Sequence, residues 1–193
     1  ATVIATALGT LAALGLSRPH MPYKGLIMAI LISPMIVPLI ITAAGMFFFY
    51  ARINLVYTFT GVILAHVALA TPFVVITVTA TLVGFDMNMV KAAQSLGAKP
   101  MRTFFKVIMP LILPGIISGA LFAFITSFDE VVVVMFMASI DQLTIPKQMW
   151  AGIRQEISPV ILCMATCLVI LSIVLLTTVE LLRRRSEKLR GIK

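Results

Sequence analysis

Asp129 and Glu130 stand side by side within a long apolar stretch, Val107 to Ala138. A carboxylate in hydrocarbon costs about 2.5–3.5 kcal/mol on insertion scales, so such residues face a cavity or a partner. At about 1.5 Å per residue, counted from Leu111, the pair lies about 27 Å along a helix and so close to the outer boundary of a bilayer. Two readings stay open. Either or both carboxylates line a path and attract a cationic substrate, or the pair caps a helix end or meets an external protein. His66 sits in the middle of another apolar stretch, Val56 to Val83, where an imidazole either bonds a neighbouring helix or joins the same path. Trp150 and Tyr50 suit an aromatic belt at the bilayer surface, and Trp150 alternatively faces an outer vestibule. Catalytic patterns are missing from the sequence. GxxxxGK[ST], HExxH and GxSxG do not occur, so the chain cannot hold ATP through a phosphate-binding loop and carries no hydrolase signature. The 2 histidines are far apart and suggest no metal site. Cys163 and Cys167, four positions apart, share a helical face and do not form a CxxC pair. The expectation is a non-enzymatic chain with no cofactor of its own.

The elements that position these residues are written in the composition. Of 193 residues 61% are hydrophobic and only 11% charged, with mean hydropathy +1.11. A soluble domain is about 45–50% apolar and about 25% charged. The net charge of +8 is gathered into separate segments. Arg18 and Lys24 share one loop, Lys91, Lys99, Arg102 and Lys106 another, and Arg183, Arg184, Arg185, Lys188, Arg190 and Lys193 form the tail. Cations on alternate loops follow the positive-inside rule and argue against nucleic acid.

The expected fold is therefore all-α, a polytopic helix bundle. Five spans are visible: Ala1 to Ser17, Gly25 to Tyr50, Val56 to Val83, Val107 to Ala138 and Pro159 to Leu182. The first is short, and a sixth span preceding it is expected, since the chain starts inside an apolar run without Met. With basic loops inside, the tail is cytoplasmic. Pro34 and Pro38 interrupt the second span and Pro72 the third, and such positions shape a helix or face a cavity. Gly115, Gly119 and Ala123 recur every four residues and allow a close helix neighbour. The run VVVVMFM after Glu130 is expected to be broken or re-entrant, lining an outer vestibule. Glu180 is placed to pair with Arg183 or Arg184.

The segment 84–106 is polar, basic and helix-prone between two apolar spans. Asp86 or Asn88 can cap a helix whose apolar stripe is Met89, Ala92, Ala93 and Leu96, and Gly97 ends it in the left-handed conformation. A second helical stretch, Met101 to Val107, leads back toward the membrane. An apolar face flanked by cations fits a groove on a soluble protein, and also suits an anionic lipid surface.

The stretch KAAQSLGAKPMRTFFKVIMP resembles the EAA loop of permease subunits of ABC importers, in which EAA, three residues, Gly and nine residues precede I-x-L-P. Ala92, Ala93, Gly97 and Pro110 match, while Lys91 stands where Glu is usual, and Val107 and Met109 replace Ile and Leu. Similarity extends over the chain and is nearest to the second permease of spermidine/putrescine-type systems. It is carried by TPFVVITV, GFDMNMVKAAQSLGA, SFDEVVVVMF and LTIPKQMWAGIRQEISP. The resemblance implies the type I importer permease fold, with a permease domain over 1–182 and a basic cytoplasmic tail over 183–193. It implies an ATPase contact through Lys91, Ala92, Ala93, Ser95, Leu96, Gly97 and Ala98. Partners implied are a second homologous permease, an ATPase dimer holding the ATP and Mg, an extracytoplasmic binding protein and membrane lipid. The implied location is a bacterial inner membrane and the implied cargo a polyamine, or another small solute such as an amino acid derivative or iron. A self-sufficient channel or secondary transporter is the competing class; it leaves the helix–turn–helix of 84–106 without a purpose, and no internal repeat supports it.

Overall fold

The computed structural model describes residues 1–18, 20–83, 86–155 and 159–189. Every regular element among them is helical. The helices are α1 (Thr2–Leu16), α2 (Lys24–Ile36), α3 (Leu39–Arg52), α4 (Phe59–Val83), α5 (Met87–Ser95), α6 (Pro100–Thr103), α7 (Met109–Phe128), α8 (Val132–Met137), α9 (Ile145–Gln155) and α10 (Pro159–Leu189). A π-helical turn, Phe104–Ile108, joins α6 to α7, so Pro100–Phe128 is one continuous helix of 29 residues.

Apolar residues surround α4 rather than lying on one stripe, and it buries accordingly on several sides. Leu69, Val74, Val75 and Val78 are all buried, and Pro72 is fully enclosed without ending the helix. Helices α1 and α7 pack on it, and the core they share comprises Ala5, Ala13, Val67, Ala70, Val74, Val78, Ile112 and Ala123. Water does not drive helices together inside lipid, so close packing has to do so. The small residues permit it. A Cβ on Gly9 would lie 2.6 Å from Val74 Cβ, and one on Gly115 or Gly119 would overlap the hydroxyl of Thr81 or Thr77. The expected Gly115, Gly119, Ala123 stripe is thus buried against α4.

A second core forms beside the first. Ala43 of α3, Ala65 and Leu69 of α4, and Val133 and Met137 of α8 pack together. By contrast, α10 is peripheral: Val160, Leu162, Val169, Ile170 and Ile173 are exposed, as a lipid-facing helix requires.

Two expected spans are corrected. Gly25 to Tyr50 is not one helix, because α2 and α3 meet at a bend of 108°. Pro38 is the cause: it drives Val37 to extended backbone (φ −72°, ψ 135°), and α2 ends there. Pro34 is absorbed inside α2. The carbonyl of Ile30, which loses the N–H of residue 34, accepts a bond from Ser33 Oγ at 2.8 Å. Val107 to Ala138 is not one span either, since α7 stops at Phe128 and the chain turns before the short α8. Among the described residues three helices (α4, α6–α7 and α10) are long and apolar enough to cross a bilayer, and the bent α2–α3 pair makes a fourth candidate. At 15 residues, α1 is shorter than the ~20 a full crossing takes.

Candidate functional site

The polar loop folds as the sequence dictates. Asp86 Oδ1 accepts the N–H of Asn88 at 2.9 Å and starts α5. Gly97, at φ +78°, ends it: the N–H of Gly97 bonds Gln94 O at 2.9 Å and that of Ala98 bonds Ala93 O at 3.0 Å. These two bonds form a Schellman closure, and the left-handed residue at its centre favours glycine. Lys99 then precedes Pro100 at the first position of α6, and the chain turns back. The elbow packs α5 on α6 and on the π-helical turn. Val90 and Ala93 are half-buried, whereas Met89, Lys91, Ala92, Ser95, Leu96 and Gly97 are exposed, and Ala98 is half-buried. The expected stripe Met89, Ala92, Ala93, Leu96 is therefore split: Ala93 is half-buried, and the other three remain exposed.

At the far end of α7 the two carboxylates part company. Glu130 is buried, and both its oxygens are used: Oε1 accepts from Val133 N at 2.9 Å and Oε2 from Val134 N at 3.0 Å. It caps α8. The opposite end of α8 is met by Lys147, whose Nζ donates to Ala138 O at 3.3 Å and Ser139 O at 3.1 Å. An anion at the first turn and a cation at the last carbonyls both complement the helix dipole. The α3–α4 connection clamps this helix further. The N–H of Tyr57, at φ 63°, bonds Met137 O at 2.9 Å, and Gln142 Nε2 donates to Tyr57 O at 3.1 Å. Gln142 and Lys147 were not singled out in the sequence, where they are merely polar residues in the connection that follows a short apolar run.

Asp129 is exposed, and among the described residues its carboxylate takes no hydrogen bond or ion pair. It lies on the wall of two cavities. One, ≈ 650 Å³, is an open hollow bordered by the α2–α3 elbow (Pro34–Leu39), Leu69 and Phe73 of α4, and the α7–α8 corner. The other, ≈ 400 Å³, lies between α7, Pro146 and Met149 of α9, and α10. Both fall within the ~300–1,000 Å³ of small-molecule sites. The elbow therefore contributes a cavity wall, and its proline pair is the signal that marked it.

His66 is buried between α4 and α7, and its Nδ1 lies 2.9 Å from Ser127 Oγ. Ser127 stands two positions before Asp129, so the imidazole braces the end of the helix that carries the carboxylate. Its Nε2 is buried and has no partner among the described residues. Trp150 lines neither cavity; it is exposed on α9 with Arg154 stacked over its ring at 5.7 Å. Asp129, Glu130 and His66 thus gather around one corner, and Trp150 stands apart. Among the described residues no group of three metal-ligating side chains occurs.

A bent helix pair beside a cavity, a central apolar helix, and a polar elbow at the other end of the 29-residue α6–α7 helix are the parts of a helix bundle built for a membrane. Residues 5–188 match the binding-protein-dependent transport system inner membrane component family, and the chain belongs to it. Over 187 residues it is 31% identical to the spermidine/putrescine transport system permease protein PotC of Haemophilus influenzae, covering 97% of this chain and 73% of the relative. Over 103 residues it is 36% identical to the putrescine transport system permease protein PotI of Escherichia coli, covering 53% of this chain and 37% of that one. The fold is also that of a chain in the inward-facing MetNI methionine ABC transporter, with TM-score 0.70, 19% identity, and 96% and 88% of the two chains covered. The protein is a permease subunit of an ABC importer, embedded in the membrane, with the type I permease fold.

Proposed function

We propose that this permease subunit carries a small organic cation, a polyamine of the putrescine and spermidine type, and that Asp129 is the carboxylate that meets it. The observation that carries this reading is the Asp129 carboxylate, without a partner among the described residues, on the wall of two cavities. The polyamine systems to which its relatives PotC and PotI belong support the substrate class. In this reading Glu130 shapes the site without touching the cargo, and His66 holds the α7 terminus in register.

Energy comes from a separate ATPase dimer that holds the ATP and Mg and rests on the elbow of residues 86–106, on the cytoplasmic side with the C-terminal tail. A second homologous permease completes the path, and an extracytoplasmic binding protein delivers the cargo. ATP binding draws the ATPases together and moves the elbow, α6 and α7 as one lever. The outward-open state is then stabilised relative to the inward-open one, which is the differential effect that coupling requires.

Uptake of radiolabelled putrescine and spermidine by the complete transporter tests the cargo, with amino acids as competitors. Asp129→Asn is expected to cut polyamine uptake at least tenfold while the complex still assembles. Unchanged uptake removes Asp129 from the path. For coupling, Gly97→Pro destroys the Schellman closure. Expected is ATP hydrolysis that no longer drives uptake, and normal uptake in that variant defeats the lever.

A further inference from the structure

We infer that the surface receiving the elbow is acidic, and that Lys91 is seated against a carboxylate of the ATPase subunit. The inference rests on the docking reading above and goes beyond it by fixing the partner's charge. At about 100° per residue, the exposed arc of α5 runs in the order Gln94, Lys91, Ser95, Asn88, Ala92, Leu96, Met89. Its middle is small and polar, with Lys91 and Gln94 on one side and a pair of apolar anchors, Leu96 and Met89, on the other. Leu96 is 89% exposed and Met101, on the adjoining α6, is 68% exposed. Three further cations, Lys99, Arg102 and Lys106, are exposed on α6, its cap and the π-helical turn, against which α5 packs. The sole acidic side chain of segment 86–106 is Asp86, whose carboxylate caps α5.

Four cations around exposed apolar anchors, with no free acid among them, call for a partner with apolar sockets and a negative rim. An anionic bilayer is the other surface that attracts lysines. It suits a helix whose exposed middle is apolar, and that of α5 is Ser95, Asn88 and Ala92. The observations therefore favour a protein groove.

The test uses the assembled transporter, purified in detergent and reconstituted in nanodiscs of phosphatidylcholine alone or with phosphatidylglycerol. Lys91 is exposed and Lys91→Glu leaves the fold intact, which thermal unfolding verifies. Lys91→Glu is expected to weaken retention of the ATPase subunit about tenfold at about 50 mM salt, and Lys91→Gln by less. The difference should shrink at about 500 mM salt. Ala92→Trp, which blocks the face by bulk, serves as the reference. If Ala92→Trp releases the ATPase and Lys91→Glu does not, the acidic groove is wrong and the docking stands. If neither releases it, the docking reading itself fails. A Lys91→Glu defect confined to phosphatidylglycerol nanodiscs assigns the cations to lipid and overturns the proposal.

Discussion

Asp129 and Glu130 are adjacent in sequence and chemically alike, yet the fold gives them separate work. Glu130 is occupied by two backbone N–H groups, and removing a cap of this kind typically costs about 1 kcal/mol. Glu130→Ala should therefore lower the thermal stability of the purified complex, whereas Asp129→Asn should leave it unchanged and affect uptake alone. Equal loss of stability in both variants would contradict the division. Ser127→Ala strips His66 of its hydrogen bond and leaves both ring nitrogens buried without partners, at about 1–2 kcal/mol. Differential scanning of the solubilised protein reads that loss directly. The sequence alone could place the carboxylates near the outer boundary and offer capping or transport as their role. It could not choose, because the choice depends on which way the chain turns after Phe128.

Elements were legible where local chemistry determines them. Asp86 and Gly97 start and stop α5 with their own side-chain and backbone properties, and both ends were readable. The stripe of Gly115, Gly119 and Ala123 was readable too, and its partner, Thr77 and Thr81 on α4, was not, because nothing in a sequence of apolar helices states which faces meet. Gly119→Val should drive a branched side chain into Thr77 and Val74 and cost several kcal/mol, as overpacking does. The check is a loss of folded, extractable permease that Gly45→Ala, at a position with open space, does not show. The breaks were harder. Pro34 and Pro38 look alike in sequence, but only Pro38 ends a helix, since Ser33 supplies the carbonyl that Pro34 leaves open with a donor. The end of α7 was half legible: the run after Glu130 read as broken or re-entrant, as α8 is, but its apolarity carried the span on to Ala138, because hydropathy does not register a carboxylate that caps a new helix.

At the scale of the whole chain, α1, α4 and α7 form a block in which glycines of both α1 and α7 close on α4, Gly9 and Gly119 meeting at Val74. Packing that tight has few alternative arrangements, so motion belongs to its corners. Hydrogen exchange on the assembled transporter should find the backbone around Val74 and Val78 slow and indifferent to nucleotide. Residues 34–39 and 129–131, the elbow and corner that bound the larger cavity, should change between nucleotide-free and ATP-bound states. Uniform change across α4 would show the block to be softer than its contacts imply.

The π-helical turn at Phe104–Ile108 has a consequence for phase. A π turn holds a surplus residue relative to an ordinary helix, and each residue of an α-helix corresponds to about 100° of rotation. The compass bearing of the elbow about the long helix is thus stored in one amino acid. Excising exposed Lys106 should leave a folded permease whose coupling helices point the wrong way, like a key cut correctly and inserted sideways.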